Sequence, residues 1–144
     1  MPTEYPIADM YVFPLKRQAG RVSLLRENDH LLRRFGELEL IDLASGEVTA
    51  FTSRAEADRF LFPISGEFSA NLVDLRMNSP SRGRRNEILV RADEPLGILI
   101  PWGVACSLSS NVGARLIVLS THSQPHSDDF SVQQDELSSY IAPQ

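Results

Sequence analysis

The feature that most constrains this chain is a series of short apolar stretches separated by turn-forming residues, at intervals of roughly ten residues. Glycine, proline, asparagine and serine mark the turns, as in Ala44-Ser45-Gly46, Ser79-Pro80 and Pro101-Trp102-Gly103. Strands this short at this spacing are typical of a β-sandwich or β-barrel. The sequence predicts strands over Met10–Pro14, Val22–Leu25, Glu37–Asp42, Val48–Ser53, Asp58–Ile64, Glu67–Leu75, Asn86–Arg91, Leu96–Ile100, Cys106–Ser109 and Arg115–Thr121.

Helix-forming patterns are few. Leu31–Arg34 predicts a helical turn, and Asp128–Leu137 predicts one short helix. A chain of 144 residues can bury one core, and no repeat or long linker divides it. We therefore expect one all-β domain over residues 1–144, with a barrel at about 10–121 and a polar loop and C-terminal tail at 122–144.

The net charge and the single cysteine limit the function classes. A net charge of −5 argues against a nucleic-acid-binding protein. Because Cys106 is the only cysteine, no internal disulfide can form, which favours a reducing compartment. The N-terminal residues lack the pattern of a signal peptide, and no apolar run approaches the ~20 residues that span a bilayer. We expect a cytoplasmic protein without a membrane partner.

Four groups of motifs carry a family resemblance. They are Ser65-Gly66-Glu67 followed by Val73-Asp74-Leu75-Arg76; Ser79-Pro80-Ser81; Ile100-Pro101-Trp102-Gly103-Val104-Ala105; and Phe13-Pro14-Leu15 with Gly20-Arg21 and Leu25-Arg26. In this order and spacing they resemble the "RGE…VDLR" strand pair, the "SPT" turn, the "IPpGfAHGF" turn and the N-terminal strands of the dTDP-4-dehydrorhamnose 3,5-epimerase family. The resemblance implies a cupin-type jelly roll, also called a double-stranded β-helix, and a homodimer paired through its sheets.

The catalytic groups of that family are missing at the matching positions. An epimerase needs a base to remove the proton beside a ketone and an acid to return it on the other face. The family's "RGLH" turn falls on Thr49-Ala50-Phe51-Thr52, so Thr52 stands where the resemblance places the base histidine. Cys106 stands at a second family histidine, and Ser120–Pro125, where a tyrosine is expected, contains none. The sequence assigns no catalytic residue.

Metal and cofactor sites are not predicted either. Many cupins hold a metal with two histidines one residue apart and a glutamate, but the corresponding turn, Thr52–Glu56, has no histidine. His122 and His126 have no third ligand near them in sequence, and His30 is isolated. Cys106 is interpreted as a small hydrophobic residue, because no base for a nucleophile lies beside it in sequence.

Arginines are the remaining candidates for a binding site. Arg59 falls where the family has a basic residue at the start of a cavity strand, Arg54 is close by, and Arg21 matches a family arginine of the N-terminal strands. Arginines that face one cavity would hold a pyrophosphate through paired hydrogen bonds. The alternative is that they form salt bridges with Glu56, Asp58 or Glu67. We predict Arg59, Arg54, Arg21 and Asn71 as substrate-binding residues.

Three functions follow. The first is a cupin that binds a nucleotide sugar or carbohydrate without epimerising it, within surface-polysaccharide biosynthesis. The second is a working carbohydrate epimerase or isomerase that uses other residues, such as His122 with Asp58 or Glu56. The third is a non-catalytic interaction protein. An inward face with Arg59, Ser69, Asn71 and Ser107 would favour the first, and a barrel sealed by Phe60, Phe62 and Trp102 would favour the third.

Overall fold

The structure, a computed structural model, describes residues 7–26, 29–123 and 130–132. No α-helix occurs in these ranges, so the all-β prediction is confirmed. Eleven strands occur in them: β1 Tyr11–Pro14, β2 Lys16–Gln18, β3 Arg21–Ser23, β4 Glu37–Leu43, β5 Phe51–Ser53, β6 Arg59–Asp74, β7 Arg85–Arg91, β8 Leu96–Ile100, β9 Val104–Ser109, β10 Ala114–Ser120 and β11 Phe130–Val132.

Nine of these strands form one antiparallel sheet, and the long strand β6 divides it into two halves. The N-terminal half of β6 pairs with β10 and β8, beyond which lie β4 and β1. Its C-terminal half pairs with β7 and β9, and β5 and β11 follow beyond β9. The two halves face each other as a jelly roll, while β2 and β3 form a separate hairpin.

The bend in β6 lies at Gly66. Its φ of 73° favours glycine, and a Cβ there would stand 2.1 Å from the carbonyl oxygen of Gly113. The register of β10 also shifts opposite this point, between Arg115 and Leu116. The sequence predicted two strands with a turn at Ser65-Gly66. That prediction is wrong, because the chain bends there without leaving the sheet.

The main core fills the space between the two halves. Seven apolar residues of these strands are buried: Phe60, Phe62, Phe68, Ile98, Ile100, Leu116 and Val118. Five of them belong to the main cluster, but Phe60 and Phe62 belong to a second cluster with Leu15, Leu99 and Leu119. The partly buried side chains of Leu24, Leu25, Leu31 and Leu32 pack against this second cluster and cover part of the outer surface of the first half.

Three local predictions were wrong or incomplete. Leu31–Arg34 is not helical. Within the predicted helix Asp128–Leu137, the described residues Phe130–Val132 form strand β11, which pairs with β5, and the rest lies outside the described residues. The strand β2 was not predicted, because Lys16–Gln18 is polar and exposed, with no apolar alternation to mark it.

A buried carboxylate organises the loop after β6. The Asp74 side chain has no exposed surface and accepts hydrogen bonds from Arg76 Nε at 3.0 Å, Ser79 Oγ at 2.5 Å and Ser81 Oγ at 2.6 Å. Burial raises the pKa of Asp74, but the hydrogen bonds from Arg76, Ser79 and Ser81 outweigh it and lower the pKa to about 2. The network therefore fixes Arg76, which is itself 8% exposed.

Candidate functional site

A partly enclosed cavity of about 260 Å³ lies between the two halves of the sheet and is called the barrel cavity here. Residues of β4, β5, β6, β9 and β10 line it, together with the segment before β5 and Arg54 after it. Its described charged groups are two guanidinium groups, of Arg54 and Arg59, and one carboxylate, of Glu39. The structure therefore brings two of the four predicted binding residues together.

Arg59 begins β6 and is held by its neighbours. The residue is 8% exposed. Its NH2 donates to the carbonyl oxygen of Val104 at 2.9 Å and to that of Thr52 at 3.2 Å, and its NH1 donates to Thr52 Oγ1 at 3.1 Å. Bonds to two backbone carbonyls and a hydroxyl leave little freedom of rotation. The guanidinium is thus held in one orientation at the cavity that it lines.

Arg54 follows β5 and is more deeply buried, with 2% of its surface exposed. Its NH2 donates to the carbonyl oxygen of His122 at 2.9 Å, and its own carbonyl accepts from the backbone N of Gly103 at 2.8 Å. These contacts tie Arg54 to the segment after β10 and to the turn between β8 and β9.

Glu39 is a cavity residue that the sequence reasoning missed. Burial and then the nearby charge of Glu37 raise its pKa, whereas Arg54 acts in the opposite direction. A carboxyl group of raised pKa in a cavity is a candidate for proton transfer. The sequence of β4 could have indicated this inward position, because Glu39 lies on the same face of the strand as Ile41 and Leu43, which pack in the main core.

Thr52 and Cys106, which stand at the two family histidines, face each other across β5 and β9 and both line the barrel cavity. The Thr52 hydroxyl oxygen already accepts a hydrogen bond from Arg59. Burial raises the pKa of the Cys106 thiol to about 11, and Arg59 lowers it by less. Neither side chain accepts a proton near neutral pH without a partner base.

The other two predicted binding residues lie elsewhere. Arg21 is exposed in the β2–β3 hairpin. Asn71 lines a groove of about 760 Å³ on the outer face of the second half, with Ser107, Arg85 and Glu87. The geometry separates both residues from the barrel cavity, and a binding role for either stays a prediction.

The two lining patterns expected from the sequence are both only partly present. Arg59 faces the barrel cavity, but Asn71 and Ser107 line the outer groove. Phe60 and Phe62 do not seal the barrel, because they pack in the second cluster, and Trp102 is 49% exposed. The described interior is thus a cavity lined by both polar and apolar residues, including two buried arginines.

A second cleft, of about 690 Å³, contains the residues of the alternative catalytic set. His122, Asp58 and Glu56 line this cleft, whereas none of them lines the barrel cavity. Within the described ranges no group of three or more His, Cys, Asp or Glu side chains is placed to hold a metal ion. No helix among the described residues is long and apolar enough to cross a membrane.

Curated relatives match part of the chain, whereas no protein-family model matches it. The spore coat polysaccharide biosynthesis protein SpsL of Bacillus subtilis is 32% identical over 82 residues, which are 57% of this chain and 54% of SpsL. The ribosomal RNA small subunit methyltransferase H of Cereibacter sphaeroides is 28% identical over 102 residues, 69% of this chain but 31% of the methyltransferase. This chain spans about half, or less, of the length of these relatives.

Solved structures match over nearly the whole chain. A dTDP sugar isomerase from Desulfovibrio desulfuricans G20 superposes with a TM-score of 0.83 at 18% identity, covering 93% of this chain and 90% of that one. The dTDP-4-dehydrorhamnose 3,5-epimerase of Elizabethkingia anophelis NUHP1 gives 0.81 at 16% identity, with coverages of 92% and 80%. ChmJ, a 3'-monoepimerase from Streptomyces bikiniensis in complex with dTDP-quinovose, gives 0.80 at 15% identity, with coverages of 96% and 79%. The chain therefore has the cupin jelly-roll fold of the dTDP-sugar epimerases and isomerases.

Proposed function

We propose that this protein binds a nucleotide sugar, or a related phosphorylated carbohydrate, in the barrel cavity and does not epimerise it. The observation that carries the proposal is the pair of buried guanidinium groups, Arg54 and Arg59, that line one cavity with Thr52 and Cys106. The planar guanidinium fork matches the oxygens of a phosphate in geometry and in charge.

Burial strengthens this preference for an anion. A charge in a partly enclosed cavity is screened less by water than a charge on the surface, so its attraction for an opposite charge is larger. Arg59 is held by Thr52 and Val104, so little of its rotational freedom remains to be lost on binding. A phosphate is the ligand group that such a site favours.

The size of the cavity limits which part of the ligand it holds. Its volume of about 260 Å³ is slightly below the ~300–1,000 Å³ of sites that enclose drug-sized ligands. A phosphate or a single sugar unit fits this space. The nucleoside would extend toward the opening, where Ala50 and Thr52 are exposed.

The comparisons support a nucleotide sugar in particular. ChmJ, which shares the fold, binds dTDP-quinovose, and other structures of this fold are of dTDP-sugar isomerases and epimerases. SpsL, which matches part of this chain, is a protein of spore coat polysaccharide biosynthesis. These likenesses favour dTDP-sugars as the ligand class and surface-polysaccharide biosynthesis as the setting.

The proposal that epimerisation is absent rests on the cavity's proton-transfer groups. The Thr52 hydroxyl oxygen accepts a hydrogen bond from Arg59, and the pKa of Cys106, about 11, keeps its thiol protonated near pH 7. A correctly placed acid or base is worth roughly 10²–10⁴-fold in rate. We expect binding to persist where this contribution is lost.

Glu39 favours a second candidate function, a carbohydrate epimerase or isomerase. Its carboxyl group lines the cavity with both arginines, and its raised pKa suits a general base. The test is incubation with dTDP-4-keto-6-deoxyglucose in heavy water, followed by NMR of C3 and C5. Exchange above the buffer rate that disappears in Glu39→Gln would establish this function and overturn the proposal of a purely binding protein.

A thermal-shift screen of dTDP-, UDP- and GDP-sugars tests the binding proposal. A ligand at 100 times its Kd stabilises the folded protein by roughly 2.7 kcal/mol, so a bound sugar raises Tm measurably. We expect dTDP-sugars to raise Tm more than the free sugars do. The proposal fails if no nucleotide sugar changes Tm at millimolar concentration.

We also propose a cytoplasmic homodimer. In the described part of the chain, β4 is an edge strand, and Leu38 and Leu40 on it are 59% and 57% exposed. An exposed apolar edge strand is prone to pair with another chain. The free, buried thiol of Cys106 is consistent with a reducing compartment.

A further inference from the structure

The cleft of about 690 Å³ outside the barrel, called the outer cleft here, plays no part in the proposed function. It lies beside β1 and the C-terminal end of β8, and its lining residues include Tyr11, Leu99, Pro101, Trp102 and Asp58. Leu99 and Pro101 are buried, whereas Tyr11 and Trp102 are 54% and 49% exposed. Two large aromatic side chains thus meet solvent at one concave surface.

The indole of Trp102 is supported from one side. The guanidinium carbon of Arg76 lies 6.0 Å from the centre of the ring. Arg76 is itself fixed by Asp74, and its NH2 donates to the carbonyl oxygen of Ala8 at 2.7 Å. Because a fixed cation supports the ring and half of the residue remains exposed, Trp102 offers an oriented aromatic surface to a ligand.

An ion pair stands beside this aromatic surface. Asp58 Oδ1 accepts from the backbone N of Trp102 at 3.1 Å, and Asp58 Oδ2 accepts from Arg33 Nε at 3.2 Å. The carboxylate is therefore held next to the indole, and the adjacent guanidinium provides donors. A fixed acceptor and a fixed donor beside an aromatic plane match adjacent hydroxyl groups on a sugar ring, whose C–H face packs on the indole.

The charges of the outer cleft distinguish its ligand from an anion. Its carboxylates are those of Asp9, Glu56 and Asp58, against the guanidinium groups of Arg33 and Arg76. This balance does not favour phosphate. A proline-rich peptide would also suit aromatic residues, but its backbone offers only carbonyl acceptors where prolines stand, so the Asp58 carboxylate would find no donor there.

We propose that the outer cleft binds a neutral saccharide of one or two sugar units, with Trp102 as the stacking platform and Asp58 as the hydroxyl acceptor. A volume of about 690 Å³ lies within the ~300–1,000 Å³ range of small-molecule sites. This site is separate from the barrel cavity, so the inference does not depend on the proposed function.

Tryptophan fluorescence provides a direct test, because Trp102 is the only tryptophan of the chain. The wild-type protein is titrated with glucose, galactose, L-rhamnose, N-acetylglucosamine, maltose and cellobiose. We expect at least one of them to change the emission in a saturable way. No response to any of the six would overturn the proposal, as would a response only to a proline-rich peptide.

Variants locate the binding by ligand-observed NMR titration. Trp102→Ala is expected to weaken binding at least tenfold, Trp102→Phe by less, and Asp58→Asn severalfold. The matched control is Phe35→Ala, which removes another exposed aromatic side chain, outside the cleft. Equal weakening by Phe35→Ala, or affinity unchanged in both Trp102→Ala and Asp58→Asn, would contradict the assignment. Arg59→Ala should leave this affinity unchanged, and loss there would place the sugar in the barrel.

Discussion

Replacing Asp74 by asparagine should destabilise the fold strongly. The carboxylate is completely buried, and the variant loses the negative charge that compensates Arg76. The remaining described partner of that charge, Asp9, is 73% exposed and therefore a weak one. Removing one member of a buried ion pair costs roughly 3–5 kcal/mol, because the other charge is left without compensation.

The pKa of Asp74 gives a second measure of the same interaction. The change from the ordinary value of 3.8 to about 2 corresponds to roughly 2.5 kcal/mol of folding free energy. Because the folded pKa is lowered, this stability is present above pH 4 and is lost as the pH falls toward 2. The stability of Asp74→Asn should therefore lack this loss between pH 4 and pH 2.

Urea unfolding between pH 2 and pH 7 measures both effects. Asp42→Asn is the matched control, because Asp42 also pairs with an arginine, at 2.7 Å from Arg115, but its side chain is 67% exposed. Asp42→Asn should lower the free energy of unfolding by less than about 1 kcal/mol. A loss below 1 kcal/mol in Asp74→Asn, or an unchanged acid dependence, would refute the reasoning.

Three further predictions concern the fold and the assembly. Gly66→Ala should lower the free energy of unfolding by roughly 2 kcal/mol or more, because the added Cβ meets a backbone carbonyl. Gly46→Ala, also at positive φ but in open space, should lower it by only about 1 kcal/mol. Thermal unfolding of the two variants measures the difference. Cys106 should react with a thiol reagent at pH 8 only after unfolding, because its pKa is about 11; rapid labelling of the native protein would contradict its burial. Leu40→Glu should convert the dimer to a monomer in light scattering, and a wild-type monomer would refute the proposed pairing.

The sequence predicted the strands well where turn residues end an apolar stretch. Leu96–Ile100 has the predicted bounds, because Pro95 and Pro101 enclose it. The prediction failed at Ser65-Gly66, since glycine at positive φ can bend a strand as well as end it. The local sequence does not distinguish these outcomes, because the pairing of β6 with β10 on both sides of the bend decides between them.

The site was only partly predictable. Arg54 and Arg59 share a cavity because β5 and β6 are brought together through β9, a long-range pairing that sequence spacing does not give. An inward-facing Asn71 would have favoured ligand binding, but the side-chain alternation of β6 puts Phe68, Ala70 and Leu72 in the core and Asn71 outside. Neither face of that strand was wholly apolar in sequence, so the alternation left both orientations open.

Isothermal titration of dTDP into the wild-type protein and three arginine variants tests the central claim most directly. Replacing a charged donor to phosphate costs roughly 1.5–3 kcal/mol, so Arg59→Ala should weaken binding at least tenfold. Arg59→Lys keeps the positive charge but not the planar guanidinium, so it distinguishes the loss of paired hydrogen bonds to phosphate from a failure to fold. Arg115→Ala, which removes a 53% exposed side chain outside the cavity lining, should bind as the wild type does. Affinity unchanged in both Arg59 variants, or lost in Arg115→Ala, would contradict binding in the barrel cavity.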